Sequence, residues 1–193
     1  MESYSCNVSD AVAHYKQTLE KSVKQSDKHM DGFLRVFRTR LESMGMKVVE
    51  KHKAVVNGGI LNKRWDLVGT NSKRHLALEF KSISSSRFGR LYHSRVEEAI
   101  GAGMDAKAKN KNIELGYLIV LDNDDEQAHK HHNKIRRFCK AICNDYKIYD
   151  SAMAIEISPH GFEYLYNDFD SFMSKFDYKP VVQKLFGWMK KDD

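Results

Sequence analysis

The run Arg64–Lys81 (RWDLVGTNSKRHLALEFK) constrains this chain more than any other stretch. At strand period, Leu76, Leu78 and Phe80 fall on one face, and His75, Ala77, Glu79 and Lys81 on the other. Trp65 to Thr70 reads as the strand before it, and the polar Asn71–Arg74 lets the two fold back as a hairpin. That hairpin would set Asp66 and Glu79 facing each other across adjacent strands, with Lys81 beside them. Two carboxylates and an ammonium at one strand end suit a hard, oxygen-seeking divalent cation and a polarised water. Glu-x-Lys alone is a chance event on many amphipathic strands, so the case for a site rests on the elements around it.

Those elements follow from apolar periodicity. Residues 8–23 place Val8, Ala11, Val12, Tyr15, Leu19 and Val23 on one helical stripe, with Ser9 or Asn7 as its cap. A second helix carries Met30, Phe33, Leu34, Phe37, Leu41 and Met44, and Gly45 stops it. A short strand near Met46–Glu50 leads to Asn57-Gly58-Gly59, which has no Lys-Ser/Thr pair or helix after it and reads as a turn rather than a phosphate cradle. Ser94-Arg95-Val96-Glu97 reads as a capping box opening a helix to about Lys109, with Val96, Ala99, Ile100, Gly103 and Met104 as its apolar stripe. Leu115–Leu121 is apolar on both faces, as in a central strand covered twice. A helix over about Gln127–Tyr146, a strand at Ala152–Ile157, a turn at Ser158–Gly161, a strand at Phe162–Tyr166 and helical segments around Asp168–Phe176 and after Pro180 finish the chain. The order predicts an α/β sandwich with a mixed sheet.

Composition narrows the setting. With 41% hydrophobic and 30% charged residues, the 193-residue chain is ordinary for a soluble globular protein and long enough for one sizeable core. We read residues 1–193 as a single domain: a helical N-terminal part (1–45), a core over about 46–157, and a C-terminal hairpin with helices (158–193). No apolar run approaches a membrane span, and the opening MESYSCNVSD lacks a signal-peptide pattern. Three cysteines give no disulfide framework, so the cytoplasm is the expected compartment. A net charge of +6 tolerates a polyanionic partner without requiring one.

Asp66 followed by Glu79-Phe80-Lys81, on this order of elements, resembles the PD-(D/E)xK nuclease superfamily. More narrowly, Arg64-Trp65-Asp66-Leu67, Glu79-Phe80-Lys81-Ser82 and the run Arg95 to Gly101 (RVEEAIG) are similar to type II restriction endonucleases related to XhoI, over about residues 55–121. Trp65 stands where the superfamily motif has Pro; the Trp-Asp form fits the narrower group, and the Asp still supplies its oxygens. The resemblance implies a restriction-endonuclease-like fold, a mixed β-sheet flanked by helices, and Mg2+-dependent hydrolysis of phosphodiester bonds in double-stranded DNA. It further implies that Asp66 and Glu79, with the Phe80 carbonyl, hold the metal. Lys81 would position the nucleophile or steady charge on the phosphoryl oxygens. Cutting both strands of a symmetric site is simplest for a homodimer. The alternatives are a repair, junction-resolving or modification-dependent nuclease of the same fold, and a DNA-binding module that does not cut. The intact acid–acid–lysine set argues against the last. A third reading is a protein-interaction domain with an incidental Glu-x-Lys, which a separation of Asp66 and Glu79 too large for one metal would favour.

Other residues carry weaker signals. Ser82–His93 is polar, basic and aromatic; Arg87, Arg90 and Arg95, with Ser84, Ser85, Ser86, Tyr92 and His93, are candidates for phosphate or base contacts, or else form an exposed loop. Glu97 is the expected capping partner, and Glu98 a candidate to support the site from behind. His129, His131 and His132 near Cys139 and Cys143 invite a zinc reading, but both cysteines lie on the apolar helix stripe and read as core thiols, the histidines as a solvated helix start. Asp122–Glu126 lacks the spacing of a calcium loop and reads as a solvated turn. Glu42 reads as a surface charge rather than a further metal ligand, and Trp188 as core or subunit interface.

Overall fold

The computed structural model describes residues 7–21, 27–124 and 128–177, and two ten-residue strands, β5 (His75–Ser84) and β6 (Ile113–Asp122), run through its centre. They pair in parallel, Glu79 against Tyr117 and Lys81 against Ile119. Around them, β1 (Lys47–Glu50), β4 (Leu67–Thr70), β7 (Ser151–Ser158) and β8 (Gly161–Tyr166) complete a six-stranded sheet of order β1-β4-β5-β6-β7-β8. The β6–β7 pair is parallel; β1–β4, β4–β5 and β7–β8 are antiparallel. A separate small hairpin, β2 (Val55–Asn57) with β3 (Asn62–Arg64), holds the Asn57-Gly58-Gly59 turn.

Helices cover both faces of the sheet. Leu76, Leu78 and Phe80 are buried against α1 (Val8–Lys21), α2 (Asp31–Ser43) and α5 (Phe169–Ser174). Ala77 and Ile83 are buried on the opposite face against α3 (Phe88–Lys109) and α4 (His132–Lys140). This is the mixed α/β architecture expected of a restriction-endonuclease-like fold. Both faces of β5 are therefore roofed, and the Glu79 side of the strand lies inside rather than at a wet surface. Asn7 caps α1: its Oδ1 accepts from the Asp10 N–H at 2.9 Å while Asp10 reaches back to the Asn7 N–H at 3.3 Å. Gly45, at φ 73°, ends the turn after α2. Val23, Asp125–Gln127, Pro180 and Trp188 lie outside the described residues.

The start of α3 departs from the capping-box reading. It begins at Phe88, six residues before Ser94, so Ser82–His93 is strand, turn and helix rather than loop. Asp124, beyond β6, gathers the hydroxyls of Ser84, Ser85 and Ser86 at 2.5, 2.6 and 2.6 Å and the Ser86 N–H at 2.9 Å, which fixes the corner. Phe88 then buries its ring between Tyr92 and His131, at 4.8 and 3.9 Å, and the helix propagates from there. Glu97 lies well inside the helix rather than in its first turn, and Ser94 and Arg95 bond Glu98. Met104 and Tyr146 lie outside the core stripes, 59% and 64% exposed, whereas Cys139 is a core thiol pushed well up by burial. The histidine run is only partly solvated, because His131 stacks on Phe88 and His132 turns toward β7. Glu42 is a surface charge paired with Arg38 at 3.6 Å. Among the described residues no helix is long and apolar enough to cross a membrane.

Candidate active site

Asp66 precedes β4 by one residue, and its backbone N–H donates to the Leu78 carbonyl at 3.1 Å. The register that pairs Leu67 with Leu78 places Asp66 beside Glu79. Its carboxylate accepts the Phe80 N–H at 2.7 Å, so the side chain completes the β4–β5 ladder where the strand itself has ended. Glu79 is 4% exposed at its side chain. Its Oε1 meets Lys81 Nζ at 2.5 Å and Lys63 Nζ at 3.0 Å. Its Oε2 is buried with no hydrogen-bond partner among the described residues. The structure thus brings Asp66, Glu79 and Lys81 together and adds a residue that sequence reading missed, Lys63.

The floor of this site is aromatic. Trp65, Tyr117 and Tyr149 are all buried, with Tyr149 ring centroids 6.5 Å from Trp65 and 5.4 Å from Tyr117. Burial and the neighbouring charges, Glu79 among them, push both tyrosine hydroxyls well up, so they stay neutral. Burial first, and the Glu79 carboxylate second, raise Asp66 from its ordinary 3.8 to about 6, against the opposing pull of the Phe80 N–H and the two lysines. The folded state therefore holds the Asp66 proton more tightly than the unfolded chain does. In metal-free protein this costs stability as pH rises from about 4 to 6, and the whole penalty persists above 6. Asp66→Asn, measured by thermal melts in EDTA, is expected to be the more stable protein at pH 8, on the order of 2 kcal/mol, with the difference vanishing below pH 4.

Lys63 reaches the site on the β2–β3 hairpin, its ammonium 5.4 Å from the Trp65 ring centroid. Asp105 of α3 holds the hairpin tip by accepting the Ile60 and Leu61 N–H groups at 2.6 and 3.1 Å. A Cβ at Gly58 would run into that carboxylate, which is why the turn carries glycine there. Asp105→Ala should loosen the tip, which keeps only the Gly59 N–H on the residue-105 carbonyl and the Asn110 amide on the Asn57 carbonyl. It should lower turnover of the activity proposed below about tenfold, with little change in melting temperature.

The other sequence candidates are spread along α3. Arg87, Arg90 and His93 are exposed, Arg87 directly before the helix and the others on it. Tyr92 has its ring on Phe88 and its hydroxyl on the Lys134 carbonyl at 3.1 Å. Arg95 and Glu98 pair at 2.9 Å. Burial pushes the Glu98 carboxyl up, but the Arg95 hydrogen bond and charge, with the Lys81 charge, hold it below the usual range. Glu98 thus feels Lys81 from the neighbouring helix.

Comparison with known proteins decides the family. The sequence profile described as Restriction endonuclease XhoI matches residues 13–143, about two thirds of the chain. The chain belongs to the XhoI restriction endonuclease family. The match runs from within α1 to just past α4 and takes in Lys63, Asp66, Glu79 and Lys81. No curated protein matches the chain. One solved structure, described as a protein of unknown function AF1548, aligns at 14% identity and TM-score 0.31 over 51% of each chain, a likeness too slight to carry argument. The present chain spans about half of that one's length.

Proposed function

We propose that this member of the XhoI family is a Mg2+-dependent, site-specific endonuclease that hydrolyses phosphodiester bonds of double-stranded DNA. We further propose that it acts in the cytoplasm as a homodimer with one site for each strand. The observation that carries the reading is the state of Glu79, a buried carboxylate with one oxygen on two lysines and the other without a partner among the described residues, beside a second carboxylate of raised proton affinity. Oxygen donors left in this state fit a hard divalent cation. Asp66 and Glu79 would hold it, and the Phe80 carbonyl is a third donor, since backbone groups of alternate residues face the same strand edge and both Leu78 O and Phe80 N turn toward Asp66. When bound, Mg2+ would polarise the scissile phosphate and lower the proton affinity of a coordinated water.

The remaining work falls to side chains. Lys81 would turn part of its donor set from Glu79 to the attacking water, aligning it, and to the phosphoryl oxygen on which charge accumulates. Lys63 would add a second ammonium on the same phosphate. The aromatic floor keeps bulk water from beneath these groups and strengthens every charge interaction above it. Arg87, Arg90 and His93, with Arg95 as a more tightly held neighbour, would contact the DNA backbone or base edges beyond the site, with Tyr92 as a support for them, and Glu98 would steady Lys81 through its charge.

Incubating the protein with a duplex library of random sequence and Mg2+, then sequencing the cut ends, tests this reading. One recurrent symmetric motif supports it. Ends without a common motif keep the nuclease and remove the specificity, and no cutting, on modified DNA as well, would leave a binding module.

A further inference from the structure

We propose a second cation site, separate from the catalytic carboxylates, built from His132, Glu156 and Glu163 and suited to a Zn2+-class transition metal. His132 opens α4, Glu156 lies on β7 and Glu163 on β8. One ligand atom from each lies within 4.8 Å of the other two. His132 Nε2 hydrogen-bonds Glu156 Oε2, and its Nδ1 is 3.7 Å from Glu163 Oε1.

The strand register adds to this geometry. Glu156 and Glu163 are directly opposed in the β7–β8 register. Like charges in that position repel, and more so when one is buried, as Glu156 is at 8% exposure. Among the described residues the salt bridges of both run to the one imidazole, so the trio itself carries a net negative charge when both carboxyls are ionised. A divalent ion balances it. The Asn123 amide donates to Glu156 Oε1 at 2.9 Å and leaves Oε2 aimed at the imidazole, the supporting bond that commonly orients a ligating carboxylate. Glu163, 58% exposed at its side chain, is free to swing in as the third ligand, leaving a fourth position for water. One imidazole nitrogen with two carboxylates favours zinc or its neighbours over magnesium, which takes oxygen donors. The ion would pin the start of α4 to the sheet edge, a structural role rather than a catalytic one.

The test uses tag-free full-length protein carrying Asp66→Asn and Glu79→Gln, so that the catalytic carboxylates cannot account for binding. This protein is expected to take up one equivalent of Co2+ with visible absorption bands, and to melt at higher temperature with Zn2+ than with Mg2+. Adding Glu163→Gln, an exposed position that leaves the fold intact, should weaken Co2+ binding about tenfold or more; adding His132→Gln as well should abolish it. Absence of Co2+ uptake, or uptake unchanged by both substitutions and thus an adventitious ion only, would overturn the proposal and leave a His–Glu ion pair. Neither result bears on cleavage, which the unsubstituted protein reports.

Discussion

Glu79→Gln is expected to reduce DNA cleavage about a thousandfold or more while leaving duplex affinity, measured with Ca2+ in place of Mg2+, unchanged or slightly tighter. The amide keeps the shape of the buried side chain but loses the charge that two lysines and the proposed metal share. Removing a negative charge beside the phosphate also takes away repulsion, so binding has no reason to weaken. Lys81→Ala should lose about a hundredfold to a thousandfold, again with affinity retained. Single-turnover rates and filter binding on one cleaved duplex separate the two effects. Equal losses of rate and affinity would mean that the residue serves DNA binding rather than turnover.

Phe37→Ala is expected to have the largest effect on stability, about 3 to 5 kcal/mol in denaturant unfolding. Phe37 is fully buried on α2, its ring centroid 5.0 Å from Phe80, 5.1 Å from Phe169 and 5.4 Å from Phe172. It therefore ties three elements together and backs the strand that carries Glu79 and Lys81. On the same helix, Glu42→Ala removes only an exposed charge and should stay within about 0.5 kcal/mol. A small loss at Phe37 would show that the α2 face of the sheet repacks easily.

Much of the fold was legible because apolar periodicity reports local burial. Leu76, Leu78 and Phe80, the doubly covered Leu115–Leu121, and the Phe33–Phe37–Leu41 stripe all sit where alternation or helical spacing puts them. The convergence of Asp66 on Glu79 followed from a short hairpin, whose register has little freedom. What was hidden depends on partners distant in sequence. The early start of α3 rests on Asp124, some forty residues from the serines it binds. Lys63 lies on a three-residue strand with no alternation to read, and reaches Glu79 from a hairpin that Asp105 and Asn110 hold against α3. The His132–Glu156–Glu163 cluster needs both the β7–β8 register and the docking of α4.

In the proposed function the carboxylates of Asp66 and Glu79 share one cation. Anomalous scattering from crystals soaked in Mn2+ tests it most directly, because Mn2+ replaces Mg2+ at oxygen sites and its position can be seen. A peak lying between the two carboxylates, lost in Glu79→Gln crystals, is the predicted result. A protein that cuts DNA with Mn2+ yet shows no density there, or shows it only beside His132, would rule out a cation shared by Asp66 and Glu79.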